Sequence, residues 1–173
     1  FNLAYKGKNL GQVQLSAPGE HNILNSLGAA AIGLEMGLDS KVIIKGLNSY
    51  DGVRRRFEVK GKVNNIIVVD DYAHHPTEVT ATLSTAKKSW NRRTIGVFQP
   101  HLFSRTKEFY KEFAAAMMLS DVAIITDIYP AREKPIIGIS GKLIYEEMKS
   151  LGHKNTHYIP DLDNLNIIVE KNV

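Results

Sequence analysis

The chain is 173 residues long, 43% hydrophobic and 23% charged, with a formal net charge of +4 and a pI near 9.2. That apolar content supports a packed core, and the absence of cysteine excludes a disulfide framework and a thiolate metal site. No apolar run approaches the ~20 residues of a membrane-spanning helix, and the first residues lack the layout of a signal peptide, so we expect a folded soluble protein of the cytoplasm with no membrane partner.

Phe1 to Tyr5 and Leu10 to Leu15 flank Lys6-Gly7-Lys8-Asn9, and Val13 and Leu15 alternate with Gln12 and Gln14, which predicts a β-hairpin. A chain that opens inside a strand pattern and closes on Ile167-Ile168-Val169-Glu170-Lys171 reads as a fragment cut at both ends. Pro18-Gly19 marks a turn, and Ser26 to Ala31 a closely packed helix with His21, Asn22 and Asn25 in its first turn. Asn22 and Asn25 share a face. An amide offers a donor and an acceptor together, as the edge of an adenine ring requires. The alternative is that one of them only caps the helix.

A second short helix, Val42 to Asn48, leads to Gly52-Val53-Arg54-Arg55-Arg56-Phe57-Glu58. The three arginines are either a solvated surface or supply one guanidinium turned inward to hold phosphate. Beyond Phe57, the turn Lys60-Gly61-Lys62 opens a regular alternation. We expect strands over 66–69, 94–98, 122–126 and 156–159, helices over 77–90, 104–118 and 141–151, and a last helix starting near Asp161. This predicts an α/β fold, a doubly wound, mostly parallel sheet covered on both faces, with residues 1–58 forming a preceding piece and 59–173 the α/β domain.

The stretch Val68-Val69-Asp70-Asp71-Tyr72-Ala73-His74-His75-Pro76-Thr77-Glu78 organises that domain. An apolar strand breaks into two carboxylates, a phenol and two imidazoles, and Pro76 then starts a helix. Similar polar residues follow the next two strands: Gln99, His101 and Arg105 after Phe98, and Asp127, Tyr129, Arg132 and Glu133 after Thr126. If all three strands are parallel neighbours, these clusters converge at their carboxyl ends, where ligands bind in open α/β sheets.

His74 and His75 are adjacent and point different ways, and no HExxH spacing occurs, so we assign no metal-ligating residues. Gly138 to Leu143 imitates a phosphate loop but is too short and lacks the final Ser or Thr; Ser140 caps the helix that follows. Phe109, Phe113 and Met117 recur at four-residue spacing and read as core.

Taken together, Pro18 to Asn25, Gly52 to Phe57, Asp70 to Glu78, Phe98-Gln-Pro-His-Leu-Phe-Ser-Arg-Thr106 and Asp127 to Glu133 resemble the Mur ligases of bacterial peptidoglycan synthesis. The double histidine followed by Phe-Gln-Pro-His is similar to the alanine-adding branch. The resemblance implies the last part of a central ATPase domain joined to most of a C-terminal α/β domain, with the UDP-sugar domain, the phosphate loop and the magnesium ligands upstream. It implies that Asn22 and Asn25 meet adenine, Arg56 a nucleotide phosphate and Asp71 the ribose. Tyr72, His74, His101 and Arg105 would line the amino-acid pocket, with His74 or His101 taking a proton from the incoming amine.

The substrates implied are ATP with Mg2+, L-alanine and UDP-N-acetylmuramate, joined through an acyl phosphate, and the fragment is not expected to be active alone. Where some members have Arg, this chain has Leu102, which leaves Arg105 as the candidate for the alanine carboxylate, and Ala73 replaces a common Gly. Two other readings stand beside this one. A metal-dependent phosphohydrolase would use Asp70, Asp71, His74, His75 and His101; a basic nucleic-acid-binding module would use Arg54, Arg55, Arg56, Arg92 and Arg93. The first leaves Asn22 and Asn25 unused and the second leaves the histidines unexplained, so we expect no nucleic-acid partner.

Overall fold

In the computed structural model, which describes residues 1–16 and 18–173, the chain first turns back at Lys6 and Gly7. Both have positive φ, 48° and 78°, the backbone twist that a two-residue hairpin turn requires. Strand β1 (Asn2–Tyr5) therefore pairs antiparallel with β2 (Lys8–Gln12). Helices α1 (Glu20–Glu35) and α2 (Ser40–Asn48) pack beside the hairpin, and Leu3, Val13, Ala30 and Ile43 form a small core. Asp39 starts α2 by accepting a hydrogen bond from the Lys41 amide at 2.7 Å.

Strands β3 (Glu58–Val63) and β4 (Ile66–Asp70) form a second antiparallel hairpin, and this corrects two expectations. Lys60-Gly61-Lys62 is not a turn but lies inside β3, where the register shifts between Val59 and Gly61. The turn is Asn64-Asn65, with φ of 46° and 65°. The apolar run 66–69 is likewise not a buried parallel strand: β4 hydrogen-bonds only β3 in its sheet, and Ile66 and Val68 are exposed. Residues Phe1–Tyr72 make up one compact unit and Ala73–Val173 a second.

The second unit is built on a three-stranded parallel sheet in the order β5 (Ile95–Phe98), β6 (Val122–Thr126), β7 (Thr156–Ile159). All five residues of central β6 are buried, as a strand covered on both faces must be. Its alternation divides the core. Ala123 and Ile125 join Phe98 against α3 (Pro76–Trp90), α4 (Phe103–Met117) and α5 (Lys142–Ser150), through Val79, Leu83, Phe113, Met117, Ile144 and Met148. Val122 and Ile124 join Ile159 on the other face, against Leu165, Ile168 and Val169 of α6 (Leu165–Asn172). Helices thus cover both faces of a parallel sheet, in accord with the α/β expectation.

Ser140 Oγ accepts from the Lys142 amide at 3.3 Å, although the residue immediately before α5 is Gly141. Phe113 is fully buried and Met117 nearly so, whereas Phe109 is only partly buried and interrupts α4 with φ of −117° and ψ of 17°. His153 is a packing residue, its two ring nitrogens lying 2.6 Å from Thr156 Oγ1 and 2.9 Å from the Ser120 carbonyl.

Candidate functional site

The two adjacent histidines have separate tasks. His75 is the N-cap of α3: its Nδ1 accepts from the Thr77 amide, and its ring lies 5.2 Å from that of Phe109. Pro76 follows as the first helical residue, where its missing amide hydrogen costs nothing. His74, one residue earlier, faces the other way, its ring centroid 6.0 Å from that of His101. Glu78 Oε2 accepts from the amides of His74 (2.9 Å) and His75 (3.2 Å) and lies 3.4 Å from His74 Nδ1.

His101 is set by an extension of the sheet. Beyond β5 and β6 the parallel ladder continues as one bridge between His101 and Tyr129, with Tyr129 N donating to the Pro100 carbonyl (2.8 Å) and Leu102 N donating to the Tyr129 carbonyl (3.1 Å). The Tyr129 and His101 rings stack at 5.7 Å and 22°. Leu102 has φ of 73° and ψ of 135°, a region that side chains other than glycine seldom occupy. It is held there because its carbonyl accepts from the Thr106 amide (3.1 Å) and from Oγ1 (2.8 Å) of the fully buried Thr106.

The sharp turn at Leu102 starts α4 at once and brings Arg105 over His101. Arg105 Nη1 donates to the His74 carbonyl at 3.2 Å and lies 3.5 Å from His101 Nδ1. Burial, then the Arg105 charge, then His74 hold the His101 pKa below its ordinary value, and Glu133 opposes them. Glu133 accepts from Ser104 through both oxygens, from the amide at 3.0 Å and the hydroxyl at 2.5 Å. Its pKa is lowered, chiefly by the Ser104 hydroxyl and then by the Ser104 amide.

Three of the four expected pocket residues, His74, His101 and Arg105, therefore come together in the second unit. Tyr72 is the last residue of the first unit. There its amide donates to the Arg55 carbonyl at 2.7 Å, and the Arg55 guanidinium carbon lies 4.6 Å from its ring centroid. Sequence reasoning named Tyr129 and Glu133 in the cluster after Thr126, and Glu78 in the organising stretch, but assigned none of the three a supporting role. Only Glu78 left a local signal, three residues after a cap and two after a helix-starting proline.

The expected nucleotide residues belong to the first unit. Asn22 and Asn25 lie on α1, with Asn22 Nδ2 donating to the Pro18 carbonyl at 2.8 Å and Asn25 exposed. The capping alternative is not met: the residue before α1 is Gly19, and no side-chain cap hydrogen bond closes the helix. Asp71 Oδ2 accepts from the Phe57 amide at 2.8 Å. Arg56 is exposed and lies in a loop where its neighbours Arg55 and Phe57 have φ of 57° and 50°. Amide, carboxylate and guanidinium are the donor set a nucleotide needs for base, ribose and phosphate. Among the described residues no three His, Asp or Glu side chains gather to hold a metal ion. No helix among them is long and apolar enough to cross a membrane.

Comparison with known proteins agrees with this architecture. The chain is 49% identical over 161 residues to a UDP-N-acetylmuramate–L-alanine ligase of Geotalea uraniireducens, covering 93% of this chain and 35% of that protein. A crystal structure of UDP-N-acetylmuramate-alanine ligase from Thermotoga maritima superposes with a TM-score of 0.74 at 34% identity, over 90% of this chain and 33% of that one. Folylpolyglutamate synthase of Mycobacterium tuberculosis, at 17% identity and a TM-score of 0.69 over 94% of this chain and 35% of that one, shares the fold. The chain spans about a third of the length of the curated relatives it matches. Residues 55–169 match the family described as Mur ligase, glutamate ligase domain, and this chain belongs to the Mur ligase family.

Proposed function

We propose that this chain is the amino-acid-binding part of an ATP-dependent ligase that joins L-alanine to UDP-N-acetylmuramate in the cytoplasm. Residues 1–58 would close the central ATP-binding domain and 59–173 form most of the C-terminal domain, with the phosphate loop and magnesium ligands contributed by the rest of the protein. ATP with Mg2+ supplies the phosphoryl group that activates the sugar carboxylate as an acyl phosphate. Asn22, Asn25, Arg56 and Asp71 are the residues we assign to that nucleotide, on the chemistry of their donor set.

The observation that carries the reading is Arg105, whose Nη1 is within 3.2 Å of the His74 carbonyl and 3.5 Å of His101 Nδ1. One guanidinium tied to two histidine residues creates a cationic seat for a carboxylate with imidazoles alongside it. An amino acid seated there by its carboxylate presents its amine to those rings. The amine must shed a proton to attack, and His74 is the better placed base. With Nδ1–H directed at Glu78, its Nε2 keeps the lone pair. Burial and then Arg105 lower the His101 pKa, which disfavours a second positive charge beside the guanidinium. Tyr72 we assign to the same amino acid on the family resemblance alone.

Phosphate release by the full-length protein tests this, with ATP, magnesium and UDP-N-acetylmuramate and with L-alanine, glycine, L-serine or L-glutamate in turn. Release that requires both the sugar nucleotide and L-alanine is expected. Release that no amino acid stimulates would overturn the assignment.

A further inference from the structure

We propose that Glu133 is a positioning residue for the amino-acid pocket, fixing the first turn of α4 so that His101 and Arg105 face the same substrate. The inference rests on the reading of His74, His101 and Arg105 as that pocket.

A helix leaves its first amide groups without intrahelical partners, and α4 has no cap from its own preceding side chain, because that residue is Leu102. Glu133, from the loop after β6, supplies the acceptors instead. It grips Ser104 by two different donors, the amide at 3.0 Å and the hydroxyl at 2.5 Å. A carboxylate holding one residue by both backbone and side chain sets the rotation of the turn about the helix axis as well as its end. Ser104 stands between His101 and Arg105 in the chain, so that rotation decides whether their side chains share a face.

The same loop makes a second attachment. Tyr129 holds Leu102 through its carbonyl and His101 through its ring. The turn at Leu102 has a positive φ that its side chain disfavours, and such a conformation persists only where neighbours hold it on both sides. Tyr129 holds the Leu102 amide and Thr106 its carbonyl, while Glu133 fixes Ser104 two residues on. Glu133 also brings a negative charge near Arg105. The amide and hydroxyl of Ser104 satisfy that charge, so the guanidinium stays available to a carboxylate.

Glu133→Gln in the full-length ligase tests the proposal, since the amide keeps one acceptor and loses the other. We expect the KM for L-alanine to rise about tenfold, the scale of one charge-assisted hydrogen bond. The KM for ATP and the thermal unfolding temperature should stay close to wild type, which a purely structural cap would not predict. Arg105→Ala is measured in parallel. If Arg105→Ala weakens L-alanine while Glu133→Gln leaves its KM unchanged, the positioning role falls and the pocket assignment stands. If Arg105→Ala itself leaves the KM unchanged, the assignment falls and takes this inference with it. Should Glu133→Gln not fold, Ser104→Ala removes only the hydroxyl donor: a KM for L-alanine raised about threefold supports the proposal, and an unchanged one overturns it.

Discussion

Glu78 engages His74 at two atoms of the same residue, accepting from its amide at 2.9 Å and lying 3.4 Å from its Nδ1. The amide contact helps to close the start of α3, and the ring contact brings a carboxylate to Nδ1, the partner that would orient the imidazole. The two roles separate by mutation. Glu78→Gln retains a carbonyl oxygen for the cap but loses the charge that steadies a protonated ring, so we expect turnover to fall by roughly 10-fold to 100-fold with little change in unfolding temperature. His74→Ala should cost about 10²- to 10⁴-fold in turnover. Near-normal turnover of His74→Ala would transfer the base role to His101 or dismiss it, and steady-state rates with saturating L-alanine decide the matter.

Arg105 is already engaged by the His74 carbonyl and His101, so a substrate carboxylate must use its remaining donors. A lysine has one point of attachment and cannot meet all three. Arg105→Lys should therefore raise the KM for L-alanine by about 10- to 100-fold, corresponding to ~1.4–2.8 kcal/mol, while the KM for ATP is preserved. A parallel rise in both constants would point to general misfolding instead, which circular dichroism of the same preparation would expose.

The environment of His101 has a definite sign. Burial, Arg105 and His74 lower its pKa, Glu133 raises it, and the Tyr129 ring stacks on it. In the unfolded chain the imidazole returns to its ordinary value near ~6.5. Between that value and the lower folded one the unfolded state binds more protons, so stability falls as pH falls through the ordinary histidine range and levels off below the folded pKa. We expect His101→Gln to flatten this part of the profile of unfolding temperature against pH. Histidine NMR provides the direct check: the His101 midpoint should lie below the ordinary value and move upward in Arg105→Met.

At Gly141 a side chain is excluded by contact. A Cβ built there would stand 2.0 Å from the Thr126 carbonyl oxygen, a backbone atom of the central strand that has nowhere to move. The Gly141 amide also donates to Asp127 Oδ1 at 3.2 Å, so the start of α5 cannot draw away without losing that bond. Gly141→Ala should destabilise the second unit by at least ~3 kcal/mol, at or beyond the usual cost of overpacking. Gly46→Ala, where nothing lies within 4 Å, should be neutral or better. Urea midpoints of the two variants give the comparison.

The alternation of strand and helix after Phe98 was legible because 122–126 is a short apolar run flanked by amphipathic helical stretches, and Thr156-His157-Tyr158-Ile159 carries β-branched and aromatic residues. Hydrophobic pattern alone could not settle the run 66–69. A short β-branched run suits a buried parallel strand and a partly exposed hairpin arm equally. The deciding signal was Asn64-Asn65, two residues that tolerate positive φ and so close a hairpin. Glycine in Lys60-Gly61-Lys62 drew the turn to the wrong place, where it marks a bulge in the ladder instead. His101 was legible from a loop that does end a parallel strand, whereas His74 follows an arm of the β3–β4 hairpin, so the two histidines meet without the third parallel strand on which the expectation rested. Glu133 was legible as a member of the cluster after β6, but its hold on Ser104 was not, because capping from a distant loop leaves no pattern in the residues it caps.

Leu102 stands between the two residues that matter most in its loop, yet its own contribution is made by main-chain atoms, its amide to Tyr129 and its carbonyl to Thr106. The position is therefore constrained in shape and free in chemistry, which explains how an apolar side chain can occupy it beside an imidazole and a guanidinium.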